Sequence, residues 1–245
     1  MVQGYYHSKL SCGTVDGPGL RYVLFLAGCK MGCAFCHNPD TWEQGEQTIT
    51  VQEVLQEAEE YRLFYESSGG GLTVSGGEPL LQPDFVAELF SQAQAAGLDT
   101  ALDTCGLAGR ETLMQVLSHT DRVLFSLKGS TDASYQALTN INTIQPILHN
   151  LKIVAERRPV TVRYVLIPGY TDGRESLASL IRIMKGLPPA AEVEVLPYHT
   201  MGIAKWEKLQ WDYPLQGIPA ATKAQTETFR QALRQAGIKL ADTEK

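Results

Sequence analysis

The stretch Arg21-Tyr-Val-Leu-Phe-Leu-Ala-Gly-Cys29-Lys-Met-Gly-Cys33-Ala-Phe-Cys36-His37 runs from an apolar segment directly into three thiols. After Arg21, Tyr22–Ala27 is a continuous apolar and aromatic run closed by glycine, the pattern of a strand buried on both faces. Five further runs repeat it, at 71–75, 100–103, 122–126, 160–167 and 192–196. Between them the period lengthens to that of helices. Val51, Val54, Leu55, Ala58, Tyr61 and Tyr65 share one face behind a Thr50/Glu53 capping box, and helices are expected at 84–96, 110–118, 144–156, 174–185 and 223–236. Buried strands alternating with helices imply a parallel sheet with right-handed crossovers. A closed (β/α)8 barrel takes about 250 residues. Six units with an N-terminal hairpin segment and a C-terminal tail fit better into an α/β, incomplete (β/α)6 TIM-like barrel of outer helices.

The chain has 245 residues, enough to bury its own core without a partner, and it is expected to be a monomer. It reads as one domain over 1–245, with an irregular segment at 206–222 that could form a lid or a packed tail, followed by a terminal helix. The joint Ser67-Ser68-Gly69-Gly70-Gly71 is too short to link domains. With 21 basic and 27 acidic residues the net charge is −6, which argues against nucleic acid and anionic lipid as partners. No apolar run approaches the ~18 residues of a membrane span, and the N-terminus lacks a secretory pattern, so a cytoplasmic location is expected.

Three of the five cysteines lie within eight positions, at spacings of four and three, where the first strand ends. In parallel α/β folds that rim gathers the ligand-binding loops. In a reducing compartment the cluster reads as a metal site. Three thiolates can hold three corners of a [4Fe–4S] cubane, leaving one iron open to substrate, unlike the four-cysteine electron-transfer site. A zinc site using His37 as fourth ligand competes, although the adjacent Cys36 and His37 side chains diverge. Cys33-Ala-Phe-Cys36-His37 also matches a haem-attachment string, and three inert core thiols are a further reading. Ser75-Gly76-Gly77-Glu78 ends the second strand with two residues that permit close backbone approach. Asp103, Thr104, Ser126, Leu127, Lys128, Arg163 and His199 fall at or near later strand ends. Cys12 and Cys105 stand apart as thiols without a redox role, and Trp206 and Trp211 read as packing residues.

With these residues in view, the chain resembles the radical S-adenosylmethionine superfamily, and Gly13-Thr14-Val15-Asp16-Gly17-Pro18-Gly19 is similar to the segment found in its glycyl-radical-enzyme activases. The likeness continues through Cys36-His-Asn-Pro-Asp-Thr-Trp42, Ser75–Glu78, Leu102-Asp103-Thr104, Arg163-Tyr164-Val165, Pro168-Gly169 and Leu196-Pro-Tyr-His199. Only Cys12 and Cys105 remain outside the loop, so a second, ferredoxin-type cluster cannot be built; this resembles the branch that serves pyruvate formate-lyase.

The resemblance implies an anaerobic oxidoreductase with one [4Fe–4S] cluster per chain on Cys29, Cys33 and Cys36. It implies S-adenosylmethionine held by Phe35, His37, Gly76, Gly77, Glu78, Asp103, Thr104, Ser126, Leu127, Lys128, Arg163 and His199, with no side-chain acid or base. Reduced flavodoxin or ferredoxin would supply the electron, and Asp16 would meet the glycyl loop of pyruvate formate-lyase, although its residue type alone reads equally as the opener of the Asp-Gly-Pro-Gly turn. A small-molecule substrate, or another glycyl radical enzyme, is the alternative. One departure stands out. Where the family carries Asp-x-Lys after the fourth strand this chain has Ser126, so a monovalent-cation site built partly from Asp103 and Thr104 loses a formal charge.

Overall fold

The computed structural model describes residues 2–241. Met1 and residues 242–245 of the expected domain lie outside that range. In chain order the elements are β1 (Gln3–Gly13), β2 (Arg21–Leu26), β3 (Thr48–Thr50), α1 (Val51–Glu59), α2 (Arg62–Ser68), β4 (Gly71–Gly76), α3 (Pro83–Ala95), β5 (Asp99–Thr104), α4 (Arg110–Leu117) and β6 (Arg122–Leu127). Then follow α5 (Asp132–Leu138), α6 (Gln145–Ala155), β7 (Val160–Leu166), α7 (Arg174–Lys185), β8 (Glu192–Pro197), α8 (Ile203–Lys208) and α9 (Lys223–Gln235). The strand order is β3-β1-β2-β4-β5-β6-β7-β8, with two ends. The pairs β2/β4, β4/β5 and β7/β8 are parallel, while β1 runs antiparallel to both β2 and β3. The α/β class with a mostly parallel, open sheet is therefore as the sequence implies.

The chain divides into two compact units, residues 1–30 with 41–124, and residues 31–40 with 125–245. In the first, β4 is buried along almost its whole length, and Leu72, Val74 and Leu102 are completely covered. Thr73 and Ser75 alternate with these apolar residues and so share the opposite face. In the second, β7 buries Val160, Val162, Tyr164 and Leu166 and leaves Thr161, Arg163 and Val165 half-buried. Tyr164 stacks on Phe229 of α9 at 5.9 Å, which fixes the apolar face outward toward the helices.

All six predicted strands are present to within a residue or so at each end. The helix after Thr50 begins with its capping box: the Thr50 hydroxyl accepts from Glu53 N at 3.2 Å, and the Glu53 carboxylate accepts from Thr50 N at 2.7 Å. The expected continuous face through Tyr65 is interrupted. Tyr61 leaves helical geometry at φ −113°, ψ 10°, and Arg62 starts α2, its guanidinium bonding Glu59, Glu66 and the Ala96 carbonyl. Tyr65 of α2 is buried and donates its hydroxyl to Ser11 O at 2.7 Å. The segment read as irregular from Trp206 differs at its start, since Trp206, Glu207 and Lys208 close α8. No helix among the described residues is long and apolar enough to cross a membrane.

Candidate functional site

In the first unit the tip of β4 is clipped to the chain leaving β2. Gly77 N donates to Leu26 O and Glu78 N to Gly28 O, both at 2.8 Å. Gly76 has φ +107°, and a methyl there would overlap the Leu26 backbone; one at Gly77 would overlap Gly28 O. The two glycines are thus required by the approach of one backbone to another, that of the segment carrying Cys29. Gly28 N and Cys29 N in turn donate to Thr41 O and Trp42 O at 2.8 and 3.0 Å. Cys29 is half-buried.

Glu78 points inward. Its Oε1 accepts from Thr104 Oγ1 at 2.6 Å and Leu80 N at 3.0 Å, and its Oε2 accepts from Cys105 N and the Cys105 thiol, each at 2.8 Å. Burial raises its pKa above the usual carboxyl range, and these four donors oppose the rise. The Cys105 thiol is therefore a hydrogen-bond donor to a carboxyl group. Asp103, half-buried, accepts from Ser75 Oγ at 3.1 Å.

Arg21 is wholly buried at the start of β2 and makes five hydrogen bonds: Nε to Thr73 Oγ1, Nη1 to Pro18 O, and Nη2 to Leu72 O, Asp99 O and Asp99 Oδ1. The Thr73 hydroxyl passes its own proton to Asp16 O at 2.8 Å. The Asp16–Gly19 turn is thereby fastened to the sheet interior, on the face that also carries Ser75. Sequence reading missed this strut, because an arginine opening a strand ordinarily reads as solvated.

In the second unit, residues 31–40 are held by backbone contacts. Asn140 N donates to Met31 O at 2.9 Å, Ala34 N to Leu138 O at 2.8 Å and Cys36 N to Cys33 O at 3.0 Å. Gly32 has φ +61°, and a side chain there would overlap the Asn140 amide. Cys33 and Phe35 are buried and Cys36 half-buried. Lys128 Nζ lies 5.9 Å from the Phe35 ring centroid, a cation–π distance. Leu127 is buried and Ser126 half-buried at the end of β6. Arg163 faces Glu194 across β7 and β8 and bonds it at 2.9 Å.

His37 and His199 meet with ring centroids 4.2 Å apart at 44°. Desolvation by burial, then the facing His199, lowers the His37 pKa below the ordinary imidazole value. His199 Nδ1 is buried with no hydrogen-bond partner, alone in this respect among side-chain N and O atoms of the described residues. Trp206 donates its indole N–H to Cys36 O at 2.8 Å, and Lys205 bonds Asn38 and Asp40 at 2.7 and 3.0 Å.

By their chemistry, thiolates at these sequence spacings suit an iron–sulfur cluster. None of the five cysteines forms a disulfide. Among the described residues no three His, Cys, Asp or Glu side chains gather on one point, as a closed zinc tetrahedron requires. Thiolates on a cubane bind different irons and need no common point. His37 is turned to His199 instead. The unpartnered Nδ1 of His199 is a buried polar atom that a bound ligand would satisfy.

The sequence profile of the Radical SAM superfamily matches residues 23–181, and the chain belongs to that superfamily. Within it, the chain falls in a family whose members carry the name pyruvate formate-lyase-activating enzyme. The Listeria monocytogenes EGD-e member is 43% identical over 227 residues, covering 89% of this chain and 91% of that protein. The Staphylococcus epidermidis member is 39% identical over 243 residues (94% and 95%), and the Clostridium pasteurianum member 38% over 241 (96% and 99%). Among solved structures, a domain of a pyruvate-formate lyase-activating enzyme from Bacteroides vulgatus superimposes with TM-score 0.57 at 27% identity, covering 71% of this chain and 98% of that one. A radical SAM methyltransferase from Sphaerobacter thermophilus reaches 0.66 at 19% identity, covering 90% and 65%, and shows the shared fold. The chain is an enzyme of the radical SAM glycyl-radical activase type, a family whose chemistry runs on a [4Fe–4S] cluster and S-adenosylmethionine.

Proposed function

We propose that this chain activates pyruvate formate-lyase by installing a radical on one of its glycines, with Cys29, Cys33 and Cys36 as the three cluster ligands. When bound, the cluster and S-adenosylmethionine would supply the one-electron reductive chemistry needed to remove one hydrogen atom from the glycine Cα. The chain's own residues bind and orient. Cys105, the other inward-facing thiol, is engaged by Glu78, which supports leaving one iron corner to the cofactor. Phe35, capped by Lys128, offers an apolar wall, and His37 with His199 offers a ring pair for the nucleoside. Gly76 and Gly77 keep backbone groups at the rim. Asp103, Thr104, Ser126, Leu127, Lys128, Arg163 and Glu78 complete the proposed binding set, directly or through the strand tips they fasten. Asp16 receives the partner's glycyl loop, which must leave its own fold to reach the site.

The observation that carries this reading is the buried, unpartnered Nδ1 of His199 beside the histidine that follows the third cluster cysteine. The superfamily match spans both units, which supports treating the chain as one catalytic domain. Reduced flavodoxin or ferredoxin serves as electron donor, and the enzyme works as a cytoplasmic monomer. The test is to mix the anaerobically reconstituted, reduced protein with S-adenosylmethionine and pyruvate formate-lyase and to record the paramagnetic resonance spectrum. A glycyl doublet is expected. Its absence with pyruvate formate-lyase and appearance with another glycyl radical enzyme would redirect the partner, and turnover of a small molecule with no doublet would refute activation.

A further inference from the structure

The C-terminal segment makes a set of contacts that the radical chemistry does not use. Gly202, Lys205 and Trp206 stand at helical spacings of three and four, so they share one face at the start of α8. Each meets a different part of the cysteine loop. Gly202 packs so closely on His37 that a methyl there would lie 2.9 Å from the ring and 3.0 Å from His37 Cα. Lys205 bonds Asn38 and Asp40. Trp206, only 3% exposed, donates its indole N–H to the Cys36 carbonyl at 2.8 Å. Its ring is braced edge-on by Tyr213 at 5.5 Å and Trp211 at 6.2 Å, and Tyr213 is tied by its hydroxyl to Tyr198 at 2.8 Å, just beyond β8. The indole is therefore held by rigid neighbours.

We propose that this face of α8 is a clasp, and that Trp206 is a positioning residue that holds the third cluster cysteine in place through its backbone carbonyl. The proposal rests on Cys36 being a cluster ligand. Of the three contacts the exposed Lys205 ion pair contributes least, since both partners keep solvent access. The Trp206 bond contributes most, because its donor belongs to an almost fully buried indole held edge-on by Tyr213 and Trp211.

Trp206→Phe keeps an aromatic plug and deletes only the donor. The readout is the lifetime of the reconstituted cluster against a chelator, followed by its visible absorbance, with the resonance line shape of the reduced cluster plus S-adenosylmethionine as a second signature. Loss of one buried hydrogen bond predicts release about tenfold faster than wild type. A shifted line shape is expected at unchanged cluster content. Gly202→Ala presses on the same place by steric means and should shorten the lifetime in the same direction. It decides the matter if Trp206→Phe does not fold. A folded, loaded Trp206→Phe with wild-type lifetime and line shape, or a Gly202→Ala with wild-type lifetime where the first variant fails to fold, overturns the clasp. A wild-type protein that takes up no iron overturns the ligand reading instead.

Discussion

The polar groups around Glu78 and Arg21 in the first unit are closed on themselves, whereas those around His37 and His199 in the second include a buried atom with nothing to bind. Glu78 is matched by four donors and Arg21 by five acceptor contacts, all from its own unit. Such satisfied networks rigidify a scaffold. His199 Nδ1 is unsatisfied, which a protein tolerates at a site where a ligand completes the bonding. The first unit's polar groups are spent on the fold, while the second keeps one buried nitrogen without a protein partner. Several positions the sequence marks as cofactor contacts, Glu78 and Thr104 among them, are engaged with the fold itself.

The largest effect is expected from removing a proposed cluster ligand. Cys33→Ala should abolish both the visible cluster absorbance and the glycyl doublet, and either one at wild-type level would refute its role.

Next in size, Arg21→Leu should cost about 3–5 kcal/mol in denaturant unfolding of the metal-free protein, because five hydrogen bonds around a wholly buried guanidinium are lost together. Arg122→Leu should cost under about 1 kcal/mol, since Arg122 shares Asp99 but keeps solvent access. Equal losses would show that Arg21 is no special strut.

Glu78→Gln should cost about 1–3 kcal/mol by setting an amide N–H against donors. Its pH dependence has a definite sign. The folded pKa is raised by burial, so the stability this carboxyl contributes is complete below the ordinary carboxyl range and is lost as pH rises through the folded value. The gap between wild type and variant should therefore narrow from acid toward neutral pH. A widening gap would mean that Glu78 is ionised throughout.

The smallest stability effect belongs to His199→Ala, expected within about 0.5 kcal/mol because its Nδ1 holds no protein bond. Its effect on S-adenosylmethionine should be larger, with an affinity loss of about tenfold in equilibrium binding to the loaded enzyme. Normal affinity with lowered stability would invert the contrast between the two units.

The strands were legible because closely spaced apolar residues mark them: Tyr22–Leu26 is an uninterrupted run, and Val160, Val162, Tyr164 and Leu166 alternate as the buried face of their strand. The cysteine loop was legible for a similar reason, its thiols lying within eight consecutive positions. Less could be read where geometry depends on partners far along the chain. The glycines at 76 and 77 declared a close approach but not to what, and the Leu26–Gly28 backbone is what they meet. The break between α1 and α2 left no mark in the apolar period, because Tyr61 and Tyr65 suit an unbroken helix as well as a restarted one. Helix α8 is six residues long, too short for a period to emerge.

Sequence by itself determined the alternation of strand and helix, the thiol loop at the first strand's end and, through these, the superfamily, since each is written in contiguous residues. Tertiary structure alone decided that Glu78 and Arg21 turn inward, that Trp206 reaches the Cys36 carbonyl and that one histidine nitrogen is left unpaired. Most of the bonds behind those facts join residues far apart in the chain, from 26 positions for Thr104 and Glu78 to 170 for Trp206 and Cys36. A local pattern carries no record of which distant acceptor a buried donor finds; only the packed chain brings the two together.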